Sequence, residues 1–317
     1  MNNSKLGFIN NNRRELGMLG LLIALIVITS WGTRESGVQA LFESKFLSAD
    51  NLKNISREIG IYGIFSIGVG IVIITAGIDL SVGSLMALLG VVFLYFVTPP
   101  ETRPDSFLAK IIPEIPWLAA VLFTLLIGTA IGVFQGLLVG KLKLQAFIVT
   151  LCGLLSYRGL ARFSADDTSI NISDSSQNLE FLRFLGEGSL SDVLSNGNGS
   201  GFLHSIPMSF IYLLCFAIFF GVLLHKSVFG RYIFAAGRNE LATKYSGINT
   251  NIVIAFAYVI AGFCTAFAAI PFCIYTGSVQ PATHGAFFEL YAIAAAVLGG
   301  CSLRGGEGSI IGILIGT

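Results

Sequence analysis

Charge is the scarcest commodity in this chain. Asp, Glu, Lys and Arg make up only 12% of its 317 residues, against about 25% in a soluble domain. The formal net charge is +1, which leaves no basic footprint for nucleic acid. Hydrophobic residues reach 54% and the mean hydropathy is +0.79, too apolar for a surface in water. Disordered, collagen-like, disulfide-scaffold and soluble-enzyme classes are therefore excluded. The cysteines Cys152, Cys215, Cys264, Cys273 and Cys301 sit in or beside apolar runs without metal-ligand spacing. They read as small hydrophobes, neither disulfides nor ligands. His-Glu-x-x-His and Gly-x-Ser-x-Gly are missing, and His204, His225 and His284 are dispersed. A phosphate loop is missing too. Its nearest approach, Gly136 through Gly140-Lys141-Leu142, has the wrong spacing and no hydroxyl, and Gly305-Gly306-Glu307-Gly308 lacks a lysine. No catalytic group, metal or cofactor is expected, and no ATP hydrolysis by this chain alone.

Long apolar runs fill the sequence instead. A bilayer core about 30 Å thick needs about 20 mostly apolar residues per helix. Candidate spans are Leu16–Trp31, Ile59–Gly77, Val82–Val97, Trp117–Val139, Leu144–Leu160, Ser209–Leu224, Ile252–Ile270 and Leu290–Gly300, with a last run opening at Ile310. The first follows Arg13 and Arg14 as a signal peptide would, but no clean small-x-small cleavage site follows, so it reads as an uncleaved helix. The expected fold is all-α: one polytopic transmembrane bundle over residues 1–317, with about 8–9 spans.

Lys and Arg in short loops set the orientation. Lys5, Arg13 and Arg14 precede the first span, Lys141 and Lys143 follow the fourth, and residues 226–251 carry Lys226, Arg231, Arg238 and Lys244 against Glu240. Residues 161–206 carry Arg162 and Arg183 against Asp166, Asp167, Asp174, Glu180, Glu187 and Asp192. Counting spans from a cytoplasmic N-terminus puts every basic segment inside and the acidic one outside. Residues 226–251 thus form a cytoplasmic loop and 161–206 an external one. The prolines of Thr98–Pro116 mark an irregular external loop, and Gly186–Gly201 reads as a flexible stretch.

Gly128, Gly132, Gly136 and Gly140 recur every fourth residue. They form one bare helix face where a neighbouring backbone can approach closely. Gly308, Gly312 and Gly316 repeat the pattern. Asp79 stands between apolar runs in Thr75-Ala-Gly-Ile-Asp-Leu-Ser-Val-Gly-Ser84, where Gly77, Ser81 and Gly83 favour a helix break. A broken helix at membrane depth is tolerated where it faces protein or a wet cavity. Asp79 reads either as a cap on the next helix or as a cavity-lining group. Glu289 precedes an apolar run as an N-terminal charge would, and Gln135 lies mid-span where it could face a solute path.

The stretch from Phe229 to Asn249 is amphipathic. Asn239 can cap a short helix with Leu241, Ala242 and Tyr245 at helical spacing, and Gly247 can end it. Such a helix suits docking into a partner's groove. This segment resembles the coupling loop of ATP-binding-cassette importer permeases of the branched-chain amino acid and monosaccharide superfamily, ribose- and xylose-type permeases above all. Three further blocks match: Thr75–Ser84; Gly136–Gly140 through Phe147–Thr150 with Arg158-Gly159; and Glu289–Gly300 with Gly305, Gly306 and Gly308.

The resemblance implies a permease of about ten spans without its own ATPase, in a bacterial inner membrane. It would pair with a second permease subunit, identical or paralogous, around a central path. A tandem ATPase would dock on the coupling loops, and a solute-binding protein would deliver a monosaccharide for alternating access. By carry-over, Gly237, Asn239, Ala242 and Gly247 would belong to the ATPase contact, with Arg231, Arg238 and Tyr245 of the same loop as further candidates. Asp79 and Ser81 would fall in the signature beside the translocation path, with Gln135 and Glu289 as further candidates for lining it. Arg238 departs from the small or polar residue usual in the family. Tyr291 stands where many sugar permeases have Asp, so the solute stays open among pentose, hexose, autoinducer-like and nucleoside classes. The resemblance also places the helix opening at Ile310, and one more span, beyond Thr317. It reads the chain as truncated or completed by a second polypeptide. An ion-coupled secondary transporter is the alternative function; it would need Asp79 and Glu289 as membrane-embedded ion sites. An intramembrane enzyme would need a nucleophile or metal constellation, and the residues offer none.

Overall fold

The computed structural model describes residues 13–32, 45–172, 179–190, 192 and 206–317. His204 and most of the Gly186–Gly201 stretch lie outside them. The described residues include thirteen α-helices: α1 (Arg13–Gly32), α2 (Ala49–Ile74), α3 (Val82–Val97), α4 (Phe107–Ile111), α5 (Trp117–Gly136), α6 (Ala146–Ser164), α7 (Leu179–Glu187), α8 (Met208–Lys226), α9 (Val228–Arg238), α10 (Glu240–Tyr245), α11 (Thr250–Thr276), α12 (Phe288–Leu298) and α13 (Ile310–Gly316). The only strands among them are β1 (Ile170–Asn171) and β2 (Ser278–Val279), paired antiparallel. The protein is an all-α polytopic membrane protein.

Helices α2, α6, α8, α11 and the continuous run Trp117–Lys141 are long and apolar enough to cross a bilayer. The last turn of that run, Leu137–Lys141, widens to π geometry. Helix α2 starts ten residues before the apolar run expected at Ile59, because the Ser48 side chain accepts from Asn51 N and caps a polar first section. Ser164 extends α6 into the segment expected as loop. The stretch Thr98–Pro116, expected to be irregular, contains α4. Its Ser106 side chain accepts from Ala109 N, and the buried Arg103 donates to the carbonyls of Thr98, Ala109 and Ile112.

Helix α11 is the central pillar. Asn249 caps its start, Gly277 ends it at φ 66°, and it packs against α2, α3, α5, α7 and α9. The α5 glycines explain the closest of these crossings. A Cβ on Gly128 would lie 2.5 Å from Ala266 Cβ, and one on Gly132 would lie 2.5 Å from the Tyr258 carbonyl oxygen. Cβ atoms on Gly136 and Gly140 would lie 2.9 Å from Ala255 Cα and 3.1 Å from Ala255 N. All four bare positions therefore face one partner helix.

Helices α3 and α12 are short by comparison. Their 16 and 11 residues reach about 24 and 17 Å at 1.5 Å per residue, less than a bilayer core. Each continues into irregular backbone, Thr75–Ser81 before α3 and Gln280–Phe287 before α12. Ala76, Gly285 and Phe287 adopt positive φ there.

Two glycines separate packing from propensity. Gly132→Ala should lower the detergent-solubilised melting temperature, because overpacking costs about 1–3 kcal/mol. Gly221→Ala in α8, where a Cβ would meet nothing within 4 Å, should leave the melting temperature unchanged or raise it, since Ala gains about 0.5–1 kcal/mol over Gly inside a helix. Equal melting temperatures for the two variants would contradict this packing.

Candidate functional site

The apolar run of α2 ends at Ile74, and Ala76 at φ 63° turns the chain out of the helix. The Ile78 carbonyl, which the break leaves without a helical partner, accepts from Thr150 Oγ1 at 3.1 Å. Asp79 is 2% exposed. Its Oδ1 accepts from Ser81 N at 2.9 Å and Ser81 Oγ at 2.7 Å, so the carboxylate serves the entry to α3. Ser81 Oγ in turn accepts from Gln135 Nε2 of α5 at 2.7 Å. Gly153 of α6 lets this cluster close: a Cβ there would lie 2.9 Å from Gln135 Nε2. The fully buried Tyr258 hydroxyl points at the break, 2.7 Å from where a Gly77 Cβ would sit, and has no hydrogen-bond partner among the described residues.

Glu289 joins this site from the other broken segment. It lies in the first turn of α12 and is 8% exposed. A Cβ on Gly83, in the first turn of α3, would overlap both the Glu289 carboxylate and the Gly285 carbonyl. Neither N-terminus carries a side-chain cap of its own. A carboxylate beside such helix starts offsets the positive end of the dipole. Arg158 of α6 clasps the irregular segment, donating to the carbonyls of Pro281 at 3.0 Å and His284 at 2.7 Å, and it interacts electrostatically with Glu289. Thus Asp79, Ser81, Gln135 and Glu289 gather at the start of α3. Thr150, Arg158 and Tyr258 belong with them and were missed from sequence. Thr and Tyr in apolar runs look like ordinary span residues, and only Arg158, a charge within a span, gave a signal.

The amphipathic stretch folds as two helices. Asn239, extended at φ −160°, separates α9 from α10, and its Oδ1 accepts from Ala242 N at 2.9 Å. Gly247 follows α10 at φ +84°. Arg231, Arg238, Ala242 and Tyr245 are exposed; Tyr245 reaches 89% and Leu241, unnamed as a contact from sequence, 68%. Gly237 differs from its expected place in a partner contact. It is buried, where a Cβ would overlap the Ile74 carbonyl, so its contact is internal. Glu240 of α10 pairs with Lys143 of the α5–α6 connection and accepts from Thr250 Oγ1 at 3.1 Å. Partial burial alone would raise the Glu240 pKa, but the bonded Lys143 ammonium outweighs it and holds the carboxyl below the ordinary glutamate range.

The family whose model describes a branched-chain amino acid transport system permease component matches residues 51–317. The chain belongs to this permease family. Among relatives of the permease, a ribose import permease protein of Haemophilus influenzae is 35% identical over 296 residues, covering 93% of this chain and 80% of its own. One of Escherichia coli K12 is 35% identical with 93% and 81% covered. A fructose import permease protein of Rhizobium meliloti is 32% identical over 312 residues, covering 98% and 77%. No solved structure matches the permease.

The Lys143–Glu240 pair makes the docking of α10 pH-dependent. A carboxylate held low in the folded protein contributes stability that is full above its unfolded pKa, about 4.3, and lost as pH falls through the lower folded value. Both side chains are partly exposed, at 44% and 41%, so the pair is worth about 0.2–1 kcal/mol and fades with salt. Proteolysis between α8 and α11 should speed up modestly below about pH 4. Lys143→Glu should bring the faster cleavage to neutral pH, and adding Glu240→Lys should reverse it. A double variant as labile as the single one would contradict the pairing.

Proposed function

We propose that this permease is the membrane-spanning subunit of an ATP-binding-cassette importer that translocates a monosaccharide. The relatives' names, ribose and fructose import permease, support the solute class. The observation that carries the mechanism is the clamped helix α10. It presents Leu241 and Tyr245 to solvent while Glu240 ties it to Lys143 and Thr250, and Gly237 seats the preceding helix on the end of α2. A short rigid helix with an exposed apolar face suits the groove of a partner.

In this reading the N-terminus and residues 226–251 are cytoplasmic, and residues 161–206 face outside with their acidic surplus. A separate tandem ATPase docks on Leu241, Tyr245, Ala242 and Arg238. A solute-binding protein meets the opposite end, and a second permease subunit completes the path. The permease does no covalent chemistry. The Asp79–Ser81–Gln135 cluster, with Glu289, closes the path at the start of α3. Nucleotide-driven closure of the ATPase pair moves α10 and opens it.

The test is affinity purification of the tagged permease from its native host in mild detergent. A tandem ATPase should accompany the wild-type chain. Leu241→Asp with Tyr245→Asp should remove it at unchanged permease melting temperature, a loss of about 2 kcal/mol or more, roughly 30-fold in affinity. A stably folded wild-type permease that brings no ATPase would overturn the importer reading.

A further inference from the structure

Helix α2 ends in a backbone junction built from three separate segments. The carbonyls of Ile71, Val72 and Ile73 accept from the amides of Thr75, Ala76 and Gly77, as at any helix end. The Ile74 carbonyl is served differently. It accepts from Gly306 N at 2.8 Å, an amide in the α12–α13 connection. Gly237, the penultimate residue of α9, lies against the same oxygen, so close that a Cβ would overlap it. A Cβ on Gly305 would lie 2.7 Å from Ala76 Cβ and 2.7 Å from the Gly237 carbonyl oxygen. A Cβ on Gly306 would lie 2.8 Å from Arg238 Cβ. Gly237 meets only backbone, and the side-chain atoms nearest Gly305 and Gly306 are the Cβ atoms of Ala76 and Arg238, so no long flexible side chain absorbs a displacement.

We infer that Gly305 and Gly306 are positioning residues for coupling, a second cytoplasmic element that relays movement of α9–α10 into the Thr75–Ser81 break. The relay rests on the importer reading above and adds the α12–α13 connection to it. A push on α10 moves Asn239 and Gly237. Gly237 bears on Ile74, and Gly306 holds Ile74 by its amide. The next residues of the chain are the break itself, with Asp79 on Ser81 and Ser81 on Gln135. The α12–α13 connection follows α12, whose first turn meets α3 at Gly83. One input thus reaches both short helices, α3 through the break and α12 through its far end.

The test uses the full permease–ATPase assembly in lipid nanodiscs, with hydrogen exchange read over residues 75–85 in the nucleotide-free and the ATP/vanadate-trapped states. Wild type should change exchange there by about tenfold between states. Gly306→Ala should reduce that change to under about twofold while the ATPase still co-purifies. Gly300→Ala is the control. Gly300 also has positive φ, +88° against +75° at Gly306, but a Cβ there meets nothing within 4 Å. It carries the same backbone strain without touching Ile74 or Arg238, and it should keep the wild-type response. A Gly306→Ala response equal to wild type would overturn the relay. So would equal loss in Gly300→Ala, or a wild-type assembly with no change at residues 75–85. Absence of an ATPase on the wild-type permease would instead overturn the importer reading itself, and the relay with it.

Discussion

A buried backbone amide or carbonyl left unpaired costs free energy wherever water is excluded, and this fold carries two irregular stretches, Thr75–Ser81 and Gln280–Phe287, among its buried helices. Four of the carbonyls at these stretches take partners from elsewhere in the chain. Ile74 takes the amide of Gly306, Ile78 the hydroxyl of Thr150, and Pro281 and His284 the guanidinium of Arg158. Asp79 turns its carboxylate to Ser81, which Gln135 reaches from α5. The partners come from α5, α6 and the α12–α13 connection, so those elements must stand at fixed positions around α2 and α3. The arrangement of the bundle follows in large part from satisfying two short stretches of backbone.

Close approach is the second consequence. Thirty-seven glycines are not spread for flexibility; many stand where two backbones meet. The α5 face lies on α11, Gly83 lies on Gly285, and a Cβ on Gly299 would come within 2.7 Å of Ile313 N in α13. Membrane helices gain little from apolar burial against each other, because lipid is equally apolar, so backbone proximity and packing carry the association. Glycine at the Ile74 junction uses the same device to bring α9, the end of α2 and the α12–α13 connection together.

Most of the fold was legible in the chain because hydropathy reports membrane spans directly. Each expected apolar run appears as a helix within a few residues of its expected core, though only five of the described helices are long and apolar enough to cross a membrane, and the Gly-x3 repeat on α5 marks a real packing face. The polar departures from that pattern were readable for the same reason. A carboxylate at Asp79 or Glu289 and an amide at Gln135 stand out against apolar neighbours, and the cap at Asn239 with its terminating Gly247 follows local rules that need no tertiary information.

Tertiary structure alone decided which of those groups meet. Ser81 and Gln135 are 54 residues apart in the chain, and nothing in either segment names the other. Arg158 serves carbonyls 123 and 126 residues away, a backbone role that no side-chain pattern at Pro281 or His284 could announce. Gly237 shows the limit most clearly. The family resemblance implied a partner contact for it, but a glycine reads the same in sequence whether it faces solvent or another backbone. Spans, caps and bare faces are local or periodic properties, so the sequence by itself determined them. Long-range pairing depends on how the helices pack, and only the folded bundle decides it.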